Sequence, residues 1–404
     1  MSYGNAFLFF VVLLFISFLL KPFIKKTPVP FCLILVLLGF VSSEFTTKIL
    51  NIDTGIRWDN FKAIIFYGFL PILVFQSAVT INIKTLIKTS VLILIMVLPL
   101  TILSIAITAI GLYKGINHAE GFPWIAALIS GALLSATDPE PILSTLKKHK
   151  ISERIRIILQ GESLFNDATA IVLFSIFIDI ATGKQEVSNI SVFFMRFLLV
   201  LLGGAFVGLV IGFITYWITK LIKNKVLYAL ICLVSAYLSF FLAEYHLSIS
   251  GVISVLSCGI IFHYLSYKHN PEDLDKVHLW RFSVSIAESM IFLLAGVSIT
   301  LSLFIDQWLA IIIGIAAISI SRVVMIFSAF PLIAYIPGVE SFSFKEQSVL
   351  VWGGVRGTVT LALALSLPLT LTYWYTIQAI AFGVVIFTLF IQTMTLPLII
   401  KNRS

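Results

Sequence analysis

Charged residues are scarce in this 404-residue chain, where Asp, Glu, Lys and Arg together make up 11% of the sequence. Soluble domains carry about 25%. Hydrophobic residues make up 59%, and the mean hydropathy is +1.08. A soluble core cannot absorb this much apolar surface, so lipid must cover part of it. The composition excludes a soluble globular protein and predicts a multi-span membrane protein whose main partner is the lipid bilayer.

The chain has only three cysteines and none of the common catalytic motifs. Cys32, Cys232 and Cys258 lie in apolar runs without the spacing of a metal site, and we interpret them as packing residues. The chain contains no GxxxxGK[ST] loop, no HExxH pair and no serine–histidine constellation. We therefore expect no enzyme activity and no cofactor, and any transport must draw its energy from ion gradients.

Basic residues exceed acidic ones, which gives a net charge of +8. Such an excess can indicate nucleic-acid binding, but in membrane proteins Lys and Arg accumulate in cytoplasmic loops. With the N-terminus outside and the C-terminus in the cytoplasm, 19 of the 27 basic residues fall inside, six fall outside, and Arg322 and Arg356 fall within spans. This bias predicts that orientation and no nucleic-acid partner.

Apolar runs of about 20 residues suit a bilayer core about 30 Å thick. They predict an all-α membrane protein in which residues 1–404 form one transmembrane unit without a soluble C-terminal domain. Thirteen spans are predicted, near residues 5–20, 28–43, 61–82, 90–112, 122–137, 157–181, 190–218, 226–245, 248–265, 281–304, 307–335, 347–367 and 375–399.

Two of these spans carry helix-breaking sequences. The fifth ends in SATDPEP (135–141), where Pro139 removes a backbone donor and disfavours helical geometry at Asp138. The twelfth contains WGGVRGT (352–358), with three glycines around Arg356. The two interruptions lie an odd number of spans apart, so they cross the membrane in opposite directions, as in an inverted repeat. Paired broken helices of this kind predict a transporter's binding site.

The sixth span begins GESLFND (161–167), and charges inside spans mark function by default. Ser163 and Asp167 share one helix face, whereas Glu162 points about 140° away from Asp167. A carboxylate without a basic partner in a low-dielectric site can be protonated near neutral pH, and Na⁺ prefers oxygen ligands. Asp167 therefore suits the exchange of a proton for Na⁺, with the Ser163 hydroxyl and the Thr137 carbonyl as further ligands. A structural acid paired with arginine is the alternative.

The other intramembrane charges have two readings each. Glu162 is the better candidate for a structural ion pair with Arg322 in the eleventh span, although it could instead be an ion ligand. Asp138 and Arg356 would offset the dipole ends of the broken helices, and Asp138 would also cap the helix that follows. Glu288, in the tenth span, is either a residue of the ion path or a packing contact.

The motifs ATDP (136–139), GESLFNDATAIVLF (161–174) and GGVRG (353–357), with an arginine in the eleventh span, resemble the NhaP/NHE-type sodium/proton antiporters of the monovalent cation:proton antiporter superfamily. The resemblance extends over nearly the whole chain. It implies thirteen helices with a six-helix inverted repeat, two crossed broken helices, and core and dimerisation subdomains. It also implies a homodimer in a prokaryotic plasma membrane that exchanges a monovalent cation, Na⁺ or else Li⁺ or K⁺, for H⁺ by alternating access.

The same resemblance assigns roles to single residues. Members with Asn-Asp at 166–167 are generally electroneutral, so the resemblance predicts 1:1 exchange. Many relatives have a carboxylate where this chain has Gln76, which leaves the cation preference and the pH range open. The implied ion site comprises Asp167, Asn166, Ser163, Thr137 and Asp138, with Glu162 paired to Arg322, Arg356 at the twelfth span, and Gln76 and Glu288 as possible pocket residues.

Two alternative functions remain open. A potassium/proton antiporter of the same fold would use the same residues, and a cation channel could line a pore with them. The sequence shows no ring-forming repeat of acidic or filter-like residues, which disfavours the channel. A membrane-embedded enzyme would need a paired nucleophile and base, and the spans contain none.

Overall fold

The computed structural model describes residues 3–24, 29–48, 64–81, 83–116, 121–148, 153–184, 190–269, 281–333 and 342–401, and these residues contain no β-strand. The helices are α1 (Tyr3–Ile24), α2 (Phe31–Lys48), α3 (Leu70–Thr80), α4 (Ile83–Gly115), α5 (Trp124–Ser135), α6 (Glu140–Lys148), α7 (Glu153–Ala181), α8 (Ile190–Lys220), α9 (Lys225–Phe241), α10 (Gly251–His269), α11 (Arg281–Ser298), α12 (Leu301–Asp306), α13 (Trp308–Ile333), α14 (Phe344–Trp352), α15 (Thr358–Leu365), α16 (Trp374–Phe387) and α17 (Thr393–Lys401).

Wider π-helical turns extend three of these helices. They precede α3 (Ile64–Phe69), follow α9 (Leu242–His246) and join α16 to α17 (Thr388–Gln392). The last of these turns lies beside the second interruption, because the Thr388 hydroxyl accepts a hydrogen bond from the backbone N–H of Arg356 at 3.1 Å. Local π geometry often occurs at functional sites.

The fold is that of a multi-span membrane protein, as predicted. In the described part of the chain, six helices are long and apolar enough to cross a membrane, and five shorter apolar helices accompany them. The exact number of thirteen spans stays a prediction. So does the orientation, because residues 25–28, 49–63, 149–152 and 270–280, which enter the charge count, lie outside the described residues.

Both interruptions occur where the sequence predicts them. Helix α5 ends at Ser135 and the backbone is non-helical over 136–139, while α14 ends at Trp352 and the helix resumes only at α15. The two breaks touch, since the backbone N–H of Asp138 donates to the carbonyl of Val355 at 2.7 Å. Glycine is required at Gly357 because a side chain there would overlap the Asp138 carboxylate. Each break therefore satisfies part of the backbone freed by the other.

The tenth predicted span, 281–304, is also divided. Helix α11 ends at Ser298, two residues are non-helical, and the short helix α12 follows. Helix α11 crosses α2 closely, because a side chain at either Gly39 or Gly296 would overlap the backbone of the other helix. Small residues at crossings of this kind let membrane helices pack in van der Waals contact.

Candidate ion-binding site

The face of α7 that carries Ser163 and Asp167 packs against the first break. The Asp167 carboxylate accepts a hydrogen bond from the backbone N–H of Thr137 at 3.1 Å, and the Ser163 hydroxyl donates to the Thr137 carbonyl at 2.5 Å. Two side chains one helical turn apart thus hold both polar groups of one non-helical peptide. The arrangement differs in detail from the expected one, because the Thr137 carbonyl is occupied by Ser163 and its N–H faces Asp167.

Asn166 is held from both sides by neutral groups. Its amide nitrogen donates to the Ser135 carbonyl at 2.5 Å, at the end of α5. Its amide oxygen accepts from the buried Thr101 hydroxyl on α4 at 3.0 Å. Sequence reasoning missed Thr101. The available signal was Pro99, which interrupts the hydrogen-bond ladder inside α4 two residues earlier.

Glu162 points to a different neighbour, as the helical projection predicts. Arg322 on α13 donates through both terminal nitrogens to the two carboxylate oxygens of Glu162, and the Nη2–Oε2 distance is 3.0 Å. The same guanidinium donates to the Leu350 carbonyl on α14 from Nη2 at 3.0 Å and from Nε at 3.3 Å. Both charged side chains are at most 5% exposed. Each charge of this buried pair is neutralised by the other.

Gly354 makes room for this ion pair. A side chain at this position would overlap the Arg322 guanidinium as it passes the second break. The pair therefore lies directly behind the interruption of the twelfth span, and the glycine-rich sequence has a packing reason there.

Arg356 lies across the carboxyl end of α5. Its Nη1 donates to the Ser135 carbonyl at 2.7 Å and to the Ala136 carbonyl at 2.9 Å, and the side chain is buried. The last carbonyls of a helix have no partner within the helix and carry its negative dipole end. The Arg356 guanidinium donates hydrogen bonds to these carbonyls, and its positive charge offsets the negative dipole end.

Asp138 lies at the amino ends of two helices, whereas Arg356 lies at the carboxyl end of one. One carboxylate oxygen accepts from the backbone N–H of Thr358 at 3.4 Å and from its hydroxyl at 3.3 Å, at the amino end of α15. The other accepts from the backbone N–H of Glu140 at 3.1 Å, at the start of α6. The dipole role and the capping role left open by the sequence therefore coexist in one side chain.

Among the hydrogen bonds of the described residues, none joins Gln76 or Glu288 to the Asp167 cluster. Gln76 is half-buried on α3, and its amide oxygen has no hydrogen-bond partner among the described residues. Glu288 is half-buried on α11, one turn after Ser285, whose hydroxyl accepts from the Lys21 ammonium at 3.2 Å. Both stay candidates for the approaches to the site rather than for its centre.

The donor set around Asp167 suits a hard monovalent cation. Oxygen ligands are available from the Asp167 carboxylate and from the Ser163 hydroxyl, which keeps acceptor lone pairs while donating to Thr137. No described residue forms an ion pair with Asp167. No group of three or more His, Cys, Asp or Glu side chains in the described ranges could hold a metal ion. The Asp167 carboxylate thus lies beside a neutral hydroxyl oxygen. A site with a single carboxylate favours transient binding of a monovalent ion over a tightly held metal.

A bundle of apolar helices in which two breaks touch and a carboxylate without an ion pair in the described residues lies beside the first break defines an integral-membrane ion transporter. Sequence comparison narrows the class. The family model described as "Sodium/hydrogen exchanger, transmembrane" matches residues 9–402. The chain belongs to this family, whose members are transporters and not enzymes.

Curated relatives and a solved structure agree with this assignment. The chain is 32% identical over 377 residues to the Na⁺/H⁺ antiporter ApNhaP of Aphanothece halophytica, covering 93% of this chain and 70% of that protein. It is also 32% identical to the low-affinity Na⁺/H⁺ antiporter NhaS1 of Synechocystis, covering 97% and 74%. The fold matches the sodium proton antiporter MjNhaP1 of Methanocaldococcus jannaschii with a TM-score of 0.85 at 20% identity, over 100% of this chain and 99% of that one.

Proposed function

We propose that this protein exchanges Na⁺ for H⁺ across the membrane and that the Asp167 carboxylate carries the two ions in turn. The main support is the environment of Asp167. Its carboxylate accepts a hydrogen bond from a backbone N–H of the first break and lies one helical turn from the Ser163 hydroxyl, and it forms no ion pair among the described residues. The relatives described above are named as Na⁺/H⁺ antiporters, which supports the same ions. Na⁺ and H⁺ are then transported ions, and no cofactor takes part.

The exchange follows from mutual exclusion at one carboxylate. Ionised Asp167 attracts Na⁺, and the Ser163 hydroxyl oxygen replaces part of the water shell of the ion. Protonated Asp167 has lost the charge that holds the cation, so Na⁺ leaves. Transport requires that the site open to the two sides of the membrane alternately. Paired broken helices are typical of transporters that work in this way.

Exchange of one Na⁺ for one H⁺ is the stoichiometry that we infer. Asn166, beside Asp167, is a neutral amide whose nitrogen and oxygen both have protein partners. Glu162 is neutralised by Arg322, and Asp138 and Arg356 serve the helix ends. Within this cluster Asp167 is then the carboxylate left to change its charge in a cycle, so exchange at Asp167 moves no net charge in each turnover.

We further infer a homodimer in the plasma membrane of a prokaryote, with the N-terminus outside and the C-terminus in the cytoplasm. The positive-inside rule supports the orientation. The long apolar helix α8, of whose most apolar stretch only 28% is buried within one chain, supplies surface for a second copy or for lipid. Mass measurement of the purified protein in detergent tests this directly: a monomer mass would contradict the dimer.

Potassium/proton exchange by the same site is the second candidate. The observation that favours it is Gln76, whose buried amide oxygen has no hydrogen-bond partner among the described residues and would add a neutral ligand rather than a charge. If Gln76 reaches the ion, Gln76→Glu will change the relative rates for Na⁺, Li⁺ and K⁺. An unchanged preference would remove Gln76 from the ion path.

Proteoliposomes with an acidic interior test the proposal. Addition of Na⁺ outside should collapse the proton gradient, and the rate should not change when the membrane potential is clamped at different values. A K⁺ response larger than the Na⁺ response would favour the second candidate. A cation current that is independent of the pH gradient would indicate a channel and would contradict both.

A further inference from the structure

A cavity of about 440 Å³ lies between α8 and the helices that carry the ion site. Its walls come from α4, α5, α7 and α8, and every residue that lines it is hydrophobic. The residues that define it are Ile105, Ala106, Leu128, Leu173, Phe177 and Phe193.

Water binds poorly in a cavity with such a lining. A water molecule needs two to four polar partners, and large apolar cavities stay dry and bind apolar molecules. The volume lies within the range of small-molecule sites, about 300–1,000 Å³. The lining therefore selects an apolar occupant.

The surroundings of the cavity identify the source of that occupant. Phe194, on the wall, is 49% exposed, and neighbouring Leu103 and Leu198 are 38% and 47% exposed, on helices assigned to the membrane. Side chains that are exposed on such helices face lipid wherever a second copy does not cover them. The cavity thus opens toward the hydrocarbon region of the bilayer, which supplies acyl chains at high concentration.

We propose that this cavity binds the acyl chain of a membrane lipid. The chain would lie against the stacked rings of Phe177 and Phe193, whose centroids are 5.9 Å apart and whose planes differ by 9°. This stack joins α7 to α8. The occupant would therefore be wedged between α8 and the part of the molecule that holds the ion site.

The position links the lipid to the ion site along two helices. At 1.5 Å per residue, Leu128 lies about 10 Å along α5 from Ser135, and Phe177 lies about 15 Å along α7 from Asp167. Movement of α5 and α7 relative to α8 would change the shape of the cavity. An acyl chain that fits one shape better shifts the equilibrium between the two. This last step rests on the proposed alternating-access transport, whereas the binding itself does not.

Photochemical labelling tests the binding without a transport assay. The full-length protein is reconstituted with a phosphatidylglycerol that carries a diazirine on its acyl chain, irradiated, and mapped by peptide mass spectrometry. We expect label on peptides that contain the lining residues of α4, α5 and α7 as well as on lipid-facing α8. Label confined to lipid-facing positions, or a cross-link to a second copy through the cavity, would overturn the proposal.

Cavity variants sharpen the test. Ala106→Phe should fill the space and abolish label on the α5 and α7 lining, while Leu173→Ala should enlarge it and retain the label. Val210→Phe, at a position 43% exposed on α8, is the matched control and should leave the lining label unchanged. Because Leu173→Ala does not overpack the site, it keeps the test valid if Ala106→Phe fails to fold. Equal lining label in all three variants would contradict an acyl chain in the cavity.

Discussion

Helices α7 and α8 follow each other in the chain and are both apolar, yet they have different surroundings. About 67% of the most apolar stretch of α7 is buried within the protein, against 28% for α8. The first half of α7 carries the polar side chains of the site, Glu162, Ser163, Asn166 and Asp167, whereas α8 has no acidic residue along its 31 residues. A polar group is tolerated at membrane depth where another helix supplies its partner. The chain concentrates such partners around α7 and leaves much of the surface of α8 to lipid or a second copy.

Within α7, the same contrast separates two acids that are five residues apart. Glu162 is bound by both terminal nitrogens of a guanidinium, whereas the described hydrogen bond to Asp167 comes from a single backbone N–H. One acid is used for structure, and the other is left to bind mobile ions. Substitutions at Asp167 and at Glu162 should therefore have different effects.

Asp167→Asn should produce the largest loss. The amide can still accept the Thr137 N–H, so the protein should fold, but it cannot ionise, and Na⁺-driven proton flux in proteoliposomes should fall to background. Asp179→Asn, near the end of the same helix, is the matched control and should keep the parent rate. Full exchange by Asp167→Asn would refute the assignment of Asp167.

Glu162→Gln should mainly affect stability. It leaves the buried Arg322 charge without its partner, and breaking one side of such a pair costs about 3–5 kcal/mol. Denaturant unfolding of the detergent-solubilised protein measures this loss. The double variant Glu162→Gln/Arg322→Met should recover much of it, and a double variant as unstable as the single one would argue against a paired charge.

Asn166→Asp should make stability depend on pH. An ionised carboxylate at this position has no proton to donate to the Ser135 carbonyl, and an unsatisfied buried group costs about 1–3 kcal/mol. The variant should therefore unfold more readily than the parent as the pH rises, and it should approach the parent at low pH. If the variant and the parent differed in unfolding free energy by the same amount at every pH, the contact with Ser135 would not contribute.

Thr101→Val should have the smallest effect. It removes the hydrogen bond to the Asn166 amide oxygen, worth about 1 kcal/mol, and should lower the exchange rate modestly. Thr108→Val offers a control on the same helix, because the buried Thr108 hydroxyl has no hydrogen-bond partner among the described residues. That control should be neutral or slightly stabilising. Equal effects of the two substitutions would indicate general packing rather than positioning of Asn166.

The sequence predicts the breaks and the separation of the two acids because the signals are local. Pro139 and the glycines of the twelfth span disfavour a continuous helix whatever surrounds them. The 100° step of the helix alone separates Glu162 from Asp167. Arg322 is the candidate partner because only Arg322 and Arg356 lie deep within predicted spans, whereas Arg196 and Arg281 lie near span ends.

The remaining parts of the site depend on tertiary packing. The Ser135 carbonyl meets both Asn166 and Arg356, but every residue has a carbonyl, so no sequence pattern marks it. The role of Thr101 depends on how α4 is rotated against α7, and a single threonine in an apolar run does not reveal that rotation. The apolar cavity beside α8 has no sequence signal for the same reason.

Competition between Na⁺ and H⁺ for one carboxylate is the central claim. Initial rates of radioactive Na⁺ uptake into proteoliposomes, measured over a series of Na⁺ concentrations and pH values, test it most directly. The account predicts that the apparent KM for Na⁺ rises as the pH on the uptake side falls, by up to about tenfold per pH unit for a single competing proton, while saturating Na⁺ restores the rate. An apparent KM that is independent of pH, with only the maximal rate changing, would contradict the claim.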